Sequence, residues 1–178
     1  MTYASLGIVR QRQDPLRSRY RDAPHEAWIE DHALAASADA DPFHGSVVAG
    51  EPDGPAWDFG IHAAIGGDHD RPNPGDILCA ALAACLDSTL RMIAERMGVE
   101  LAEIEVRVRA RADARGCLMV DPGVPAGFQR IDAVVRLDAA RGTDPALLDK
   151  LTAVAERCCV VLQTLRGGVA VQAMFQRP

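Results

Sequence analysis

Lysine is nearly missing from this chain: Lys150 is the only one among 178 residues, and arginine supplies the rest of the positive charge. There is no basic excess either, because the net charge is −6 and the pI about 5.3. Nucleic acids and anionic membranes both want a basic footprint, so neither is an expected partner. A long uncharged apolar run of the ~18 residues needed to cross a bilayer is also missing. The opening MTYASLGIVRQRQDP has no apolar stretch of signal-peptide length, so the expected compartment is the cytoplasm. Five cysteines (Cys79, Cys85, Cys117, Cys158, Cys159) are an odd number at irregular spacing, which does not read as a secreted disulfide framework. In a reducing compartment a disulfide is more often catalytic or transient than structural.

With 48% hydrophobic residues the chain can build a core without metal or disulfides. A chain of this length buries roughly 70% of its unfolded surface. Residues 1–26 are polar and arginine-rich and read as an N-terminal arm, with a short helix in LRSRYRDAPHEAW that Pro24 ends. Residues 27–178 read as one domain. Three weak strands are expected at Trp28–Ala36, Ser46–Gly50 and Trp57–His62, separated by Pro and Gly turns.

The loop GGDHDRPNPGD (Gly66 to Asp76) feeds a long helix. Asn73 suits its N-cap, Pro74 its first position, and Asp76 the third, in the manner of a capping box. Apolar residues recur at Ile77, Leu78, Ala81, Leu82, Cys85, Leu86, Leu90, Ile93 and Met97, and Gly98 is a natural stop. Its nearly all-apolar first half predicts a buried central helix. Glu103 to Asp113 alternates as a half-buried strand, and Arg115–Val120 and Arg130–Asp138 are expected to continue the sheet. A second helix starts at Asp144-Pro145 and runs through Cys158 and Cys159, with a bend just past them at Val160 and Val161. Val169–Phe175 is expected as a last strand. The order predicts an α+β fold with antiparallel sheet.

Two thiols on apolar helices, Cys85 and Cys159, are the main route to chemistry. A thiolate is the reactive form. Cys85 lies too far inside its helix for that helix's dipole to ionise it, and burial among Ala81, Leu82 and Leu86 raises its pKa. A cation or hydrogen-bond donor must therefore reach it from elsewhere, and an arginine is the common candidate. Given that help, a peroxide would oxidise Cys85 to a sulfenic acid, a second thiol would condense with it, and an external thiol would reset the pair. The competing reading is that these are small buried hydrophobes, as free cysteines often are. Cys79 and Cys117 fit that description. His62, Asp68, His69 and Asp70 match no zinc spacing and read as polar loop residues. Tyr20, Trp28, Phe43 and Trp57 are pocket-lining candidates, with core packing as the default reading. No metal and no resident cofactor is expected.

NPGDILCAALAACLDSTLRMIAERMGV (Asn73 to Val99), AERCCVVLQTL (Ala155 to Leu165) and IHAAIGG (Ile61 to Gly67), followed in order by VRVRARAD, resemble the words of the OsmC/Ohr family of thiol-dependent hydroperoxidases. The resemblance covers roughly residues 27 to 175. It implies an OsmC-like fold in which antiparallel sheets wrap a long central helix in an intertwined homodimer, with the active site at the dimer interface. It also implies that Cys85 is peroxidatic and Cys159 resolving, acting on organic hydroperoxides with a thiol reductant.

Three positions depart from the family's pattern. The glutamate ten residues before the reactive cysteine is Gly75 here, beside Asp76. No arginine lies between Arg21 and Arg71, where the family's helper stands. The proline that often follows the second cysteine is Val160. The resemblance is therefore to a divergent OsmC-like branch, with Asp76, Arg19, Arg21 and Arg71 as substitute helpers. The alternative is a slow or non-catalytic module that binds an apolar small molecule at the dimer interface.

Overall fold

A computed structural model describes residues 7–36 and 40–176. The chain divides into two units. One holds the segment up to Ala80 together with Val108–Val134, and the other holds Ala81–Arg107 with the segment from Val135 onward.

The first unit opens with helix α1 (Ile8–Asp22), which begins well before the expected Leu16 and has no buried residue. Arg19 and Arg21 occupy its last turn, where cations offset the carbonyl end of the helix dipole. A three-stranded antiparallel sheet follows in the order β1 (Ala33–Ala35), β2 (His44–Ala49), β3 (Ala56–Gly60). Leu34 pairs with Val48, and Val47 with Trp57. These are the three expected strands, the first much shorter than read from sequence. Trp28 is 87% exposed and Trp57 50%, which corrects their reading as core aromatics.

After β3 the chain folds back on itself. The N–H of Gly60 donates to Pro72 O at 3.1 Å, and that of His69 to Ile61 O at 3.1 Å. Gly67 is required there, because a Cβ would stand 2.2 Å from the Ile61 carbonyl oxygen. His44, at the start of β2, bridges Asp41 (2.7 Å) and Asp70 (3.0 Å) and so ties this loop to the sheet.

Helix α2 (Pro74–Met97) starts on the expected capping box. Asn73 Oδ1 accepts from the N–H groups of Gly75 (2.8 Å) and Asp76 (3.2 Å), while Asp76 Oδ2 accepts from the Asn73 N–H (3.0 Å). Gly98 ends it at φ +72°, a left-handed conformation that favours glycine. By length and composition alone α2 could cross a membrane, a longer apolar window than the sequence reading allowed. Burial of the helix is one-sided. Leu82, Leu86, Thr89, Leu90 and Ala94 are buried, whereas Ala80, Ala81 and Ala84 are exposed, so its first half is not enclosed on all sides.

Strands β4 (Leu101–Arg111) and β5 (Arg130–Ala139) form a two-stranded sheet. Its antiparallel sense shows in Gln129 N–H to Arg111 O (2.9 Å) at one end and Ala140 N–H to Glu100 O (3.0 Å) at the other. Between them the expected strand at Arg115–Val120 is instead the short helix α3 (Ala114–Cys117) and a turn. Asp113 caps that helix by accepting the Arg115 N–H at 3.0 Å and also holds the Arg115 guanidinium, so two local bonds outbid extension. Gln129 then staples the loop, donating to the carbonyls of Pro125 (2.9 Å) and Gly127 (2.7 Å) and accepting the Asp113 N–H (2.9 Å).

In the second unit Leu90, Ala94, Val99, Leu151 and Ala155 form the core cluster, flanked by Ile93, Ile104, Val135, Leu137 and Leu147. Helix α4 (Pro145–Cys158) begins at Asp144, whose Oδ1 accepts the Ala146 N–H at 2.9 Å. Helix α5 (Val160–Gly167) follows after a break of one residue. The expected last strand is not formed: Val169–Phe175 carries no regular structure, with Val171, Met174 and Phe175 84–95% exposed. Apolar alternation marks a segment able to pair, but a ladder needs a neighbour. The observed architecture is α+β with antiparallel sheets, as expected.

Candidate functional site

Cys159 is the joint between α4 and α5. Its backbone is extended (φ −73°, ψ 106°), yet its N–H still donates to Ala155 O at 3.0 Å and its carbonyl already accepts from Gln163 N–H at 2.9 Å. One residue thus closes α4 and opens α5. The sequence reading placed the bend one position later, at the β-branched valines. Two further bonds strap the elbow: Gln163 Nε2 donates to Glu156 O at 2.7 Å, and Arg166 pairs with Glu156.

This break decides the electrostatics. The first N–H groups of a helix lack intrahelical acceptors and carry a partial positive charge. Cys159 is fully buried at that terminus; its side chain makes no cap hydrogen bond, but the nearby N–H groups of Leu162 and Val161 favour its thiolate. Cys85, half-buried on α2, lies near enough to the N–H groups of Val161 and Val160, the hydroxyl of Thr89 one turn along its own helix and the Cys159 thiol for each to favour its thiolate. Cys85 and Cys159 are thus electrostatic neighbours within the second unit.

Burial is the largest influence on both thiols and pushes both up. At Cys85 the four donors together outweigh it and hold the thiol below its ordinary range. At Cys159 burial wins, reinforced by its role as donor to Cys85, and the thiol sits above its ordinary range. Of the two thiols, Cys85 is the more readily ionised. The groups of its own unit that favour its thiolate include N–H groups freed by the helix restart at Cys159, a contribution the side-chain pattern did not signal.

The substitute helpers all belong to the first unit. Arg19 pairs with Glu26 at 3.3 Å and lies over the Tyr20 ring; Arg21 donates to Arg17 O at 3.4 Å. Arg71 lies 3.9 Å from both Asp58 and Asp70. Asp76 is committed to the α2 cap through both the N–H and the Nδ2 of Asn73. Of the other cysteines, Cys79 is half-buried and pushed up by burial and by Asp76, while Cys117 and Cys158 are exposed. The rings of His62 and His69 meet edge to face at 4.6 Å, and no cluster of three or more metal-ligating side chains occurs among the described residues.

A half-buried thiol shifted toward ionisation and a buried neighbouring thiol shifted away from it are the two partners that dithiol–disulfide exchange requires. Known proteins show the same frame. The chain is 29% identical over 115 residues to the uncharacterized protein YmaD of Bacillus subtilis, covering 63% of this chain and 72% of that one. Its fold matches the OsmC-like protein of Mycoplasma pneumoniae with a TM-score of 0.63 at 13% identity, over 79% of this chain and 89% of that one. It also matches an organic hydroperoxide resistance protein from Elizabethkingia anophelis with a TM-score of 0.58 at 18% identity, over 80% and 92%. The family model described as "OsmC-like protein" fits residues 67–174, more than half the chain and inclusive of both Cys85 and Cys159, and the chain accordingly belongs to the OsmC family.

Proposed function

We propose that this protein is a thiol-dependent peroxidase that reduces organic hydroperoxides. The observation that carries the reading is that Cys85 and Cys159 are neighbours that shift each other's ionisation, Cys85 down and Cys159 up. The Cys85 thiolate attacks the terminal oxygen of ROOH. The O–O bond breaks, ROH leaves with one added proton, and Cys85 becomes the sulfenic acid. The Cys159 sulfur then attacks that sulfenic sulfur, its proton leaves with the hydroxyl as water, and a Cys85–Cys159 disulfide remains. An external dithiol returns both to thiols and takes up the two oxidising equivalents.

Apolar neighbours on α2, Leu82 and Leu86, favour a carbon-bearing peroxide over hydrogen peroxide. We further propose that the protein works as a homodimer in the cytoplasm, with residues 27–178 as the working domain. Support for a second copy comes from the exposed alanines of α2 and the bare apolar segment after α5.

The test is direct. Treatment with one equivalent of cumene hydroperoxide, followed by peptide mapping, should yield a Cys85–Cys159 crosslink. Cys85→Ser should abolish hydroperoxide consumption in the presence of a dithiol. If the wild-type protein consumes no organic hydroperoxide and keeps both thiols, the proposal fails. A small apolar molecule retained in native mass spectrometry would then select the binding-module reading.

A further inference from the structure

We propose that His44 is a proton-operated clasp on the loop of residues 61–72, closed when its ring is charged and open at the Asp70 end when it is neutral. Hydrogen counting carries the inference. Both ring nitrogens face a carboxylate: Nδ1 stands 2.7 Å from Asp41 Oδ2, and Nε2 stands 3.0 Å from Asp70 Oδ1. An ionised carboxylate only accepts, and a neutral imidazole has a single N–H to give. Only the imidazolium donates both ways at once, so the closed bridge requires the second ring proton. Neither acid supplies it near neutrality, because Asp41 is held below its usual range first by the Phe43 N–H and Asp70 first by His44 itself.

The two ends of the clasp are not equivalent. Asp41 lies three residues before His44, and its other oxygen accepts the Phe43 N–H at 2.8 Å. Asp70 is 26 residues away along the chain and has a second cation to turn to. Arg71 Nε is 3.9 Å from Asp70 Oδ2, and the same guanidinium is 3.9 Å from Asp58 of β3. A ring left with one N–H keeps the shorter, local bond to Asp41, and Asp70 passes to Arg71. The charged groups that bear on His44 are thus Asp41 from the turn before β2, Asp70 and Arg71 from the loop, and Asp58 from the neighbouring strand through Arg71.

The backbone around the clasp fits this role. Gly60 is the ladder partner of His44, and a Cβ there would stand 3.0 Å from Asp70 Oδ1, the oxygen that faces the ring. His69, just before Asp70, is held at φ +54°, a left-handed conformation that residues other than glycine rarely adopt. The Asp70 end of the clasp and the bond from His69 N–H to Ile61 O (3.1 Å) hold it there together. Release of Asp70 lets that turn relax, in a segment that runs straight into Asn73, the cap of α2. Acid closes the clasp and alkali opens it. The clasp makes no use of the thiols and stands independently of the peroxidase reading.

An NMR titration of the full-length protein reads the His44 ring nitrogens directly. The midpoint should lie above 6.5, because the bonds to Asp41 and then Asp70 favour the charged ring. Hydrogen exchange of the peptide spanning residues 61–72, corrected for the intrinsic rate, should lose about two- to fivefold in protection across that midpoint, the factor an exposed charge pair supplies. Asp70→Ala should exchange at the open rate throughout. Asp70→Asn should lose the step in the opposite sense, because an amide accepts from the imidazolium and donates to the neutral ring, which keeps the loop held on both sides. Arg71→Gln, which removes the rival cation, should raise the His44 midpoint. Loop protection that runs flat through the His44 midpoint in the unmutated protein overturns the clasp, as does a midpoint at or below 6.5. A step that survives in Asp70→Ala overturns the assignment of Asp70 as the end released.

Discussion

Truncating Leu151 to alanine tests whether the second unit's core is what holds the thiol joint in place. Leu151 is 0% exposed and sits on α4, two turns before Cys159, against Leu90, Ala94, Val99 and Ala155. Leu151→Ala removes three carbons' worth of buried surface, at about 0.8 kcal/mol for each methylene equivalent, or about 2.4 kcal/mol of transfer free energy. The rigid neighbours leave part of the space unfilled, which lifts the expected loss to about 3–4 kcal/mol. For a chain of this size each kcal/mol lowers Tm by about 2–4 °C, so the melting point should fall by about 10 °C. Urea unfolding followed by circular dichroism gives the same quantity from the midpoint. The neighbouring Lys150 is exposed, and Lys150→Ala should stay within about 0.5 kcal/mol of wild type. A loss below about 1 kcal/mol in Leu151→Ala, or equal losses in the two variants, would refute the core assignment.

The His44 bridge should make stability depend on pH in a defined window. Hydrogen bonds to Asp41 and then Asp70 raise the His44 pKa above its ordinary 6.5; Asp41 is lowered first by the Phe43 N–H and then by His44, and Asp70 first by His44 with a smaller pull from Arg71. The histidine's contribution is fully present below 6.5 and is lost as pH rises through its raised value. The carboxylates' contribution is present above 3.8 and is lost as pH falls through their lowered values. His44→Gln should therefore be less stable than wild type between those limits and converge with it in alkali; curves that run parallel across the whole range would exclude the bridge. Native mass spectrometry should read twice the 19.1 kDa chain mass for the proposed dimer, and a single-chain mass at micromolar concentration would remove it.

Much of the frame was legible because its signals are local. Asn73, Pro74 and Asp76 announce the start of α2, Gly98 its end, and the alternation from Glu103 onward a strand; each rests on bonds within a few residues, and each appears in the structure. What failed depended on competition or on neighbours. Arg115–Val120 looked extended, but the carboxylate of Asp113 captured the Arg115 N–H and turned the chain into α3. Val169–Phe175 has the composition of a strand without a ladder to join. At the site, both cysteines and their helices could be found from apolar periodicity. The helix break at Cys159 was not legible in the same way: it frees peptide N–H groups whose pull on Cys85 no side-chain pattern encodes.

The joint at Cys159 carries a consequence for the chain's conformational freedom. Cys85 and Cys159 stand 159 − 85 = 74 residues apart along the backbone. A covalent link between them would close a ring that contains β4, β5 and all of α4, and would strip the denatured ensemble of entropy worth about 4.5 kcal/mol. Each round of oxidation and reduction of the pair would then ratchet the fold between a looser reduced form and a tauter oxidised one. The melting temperature would serve as a gauge of the electrons the protein holds.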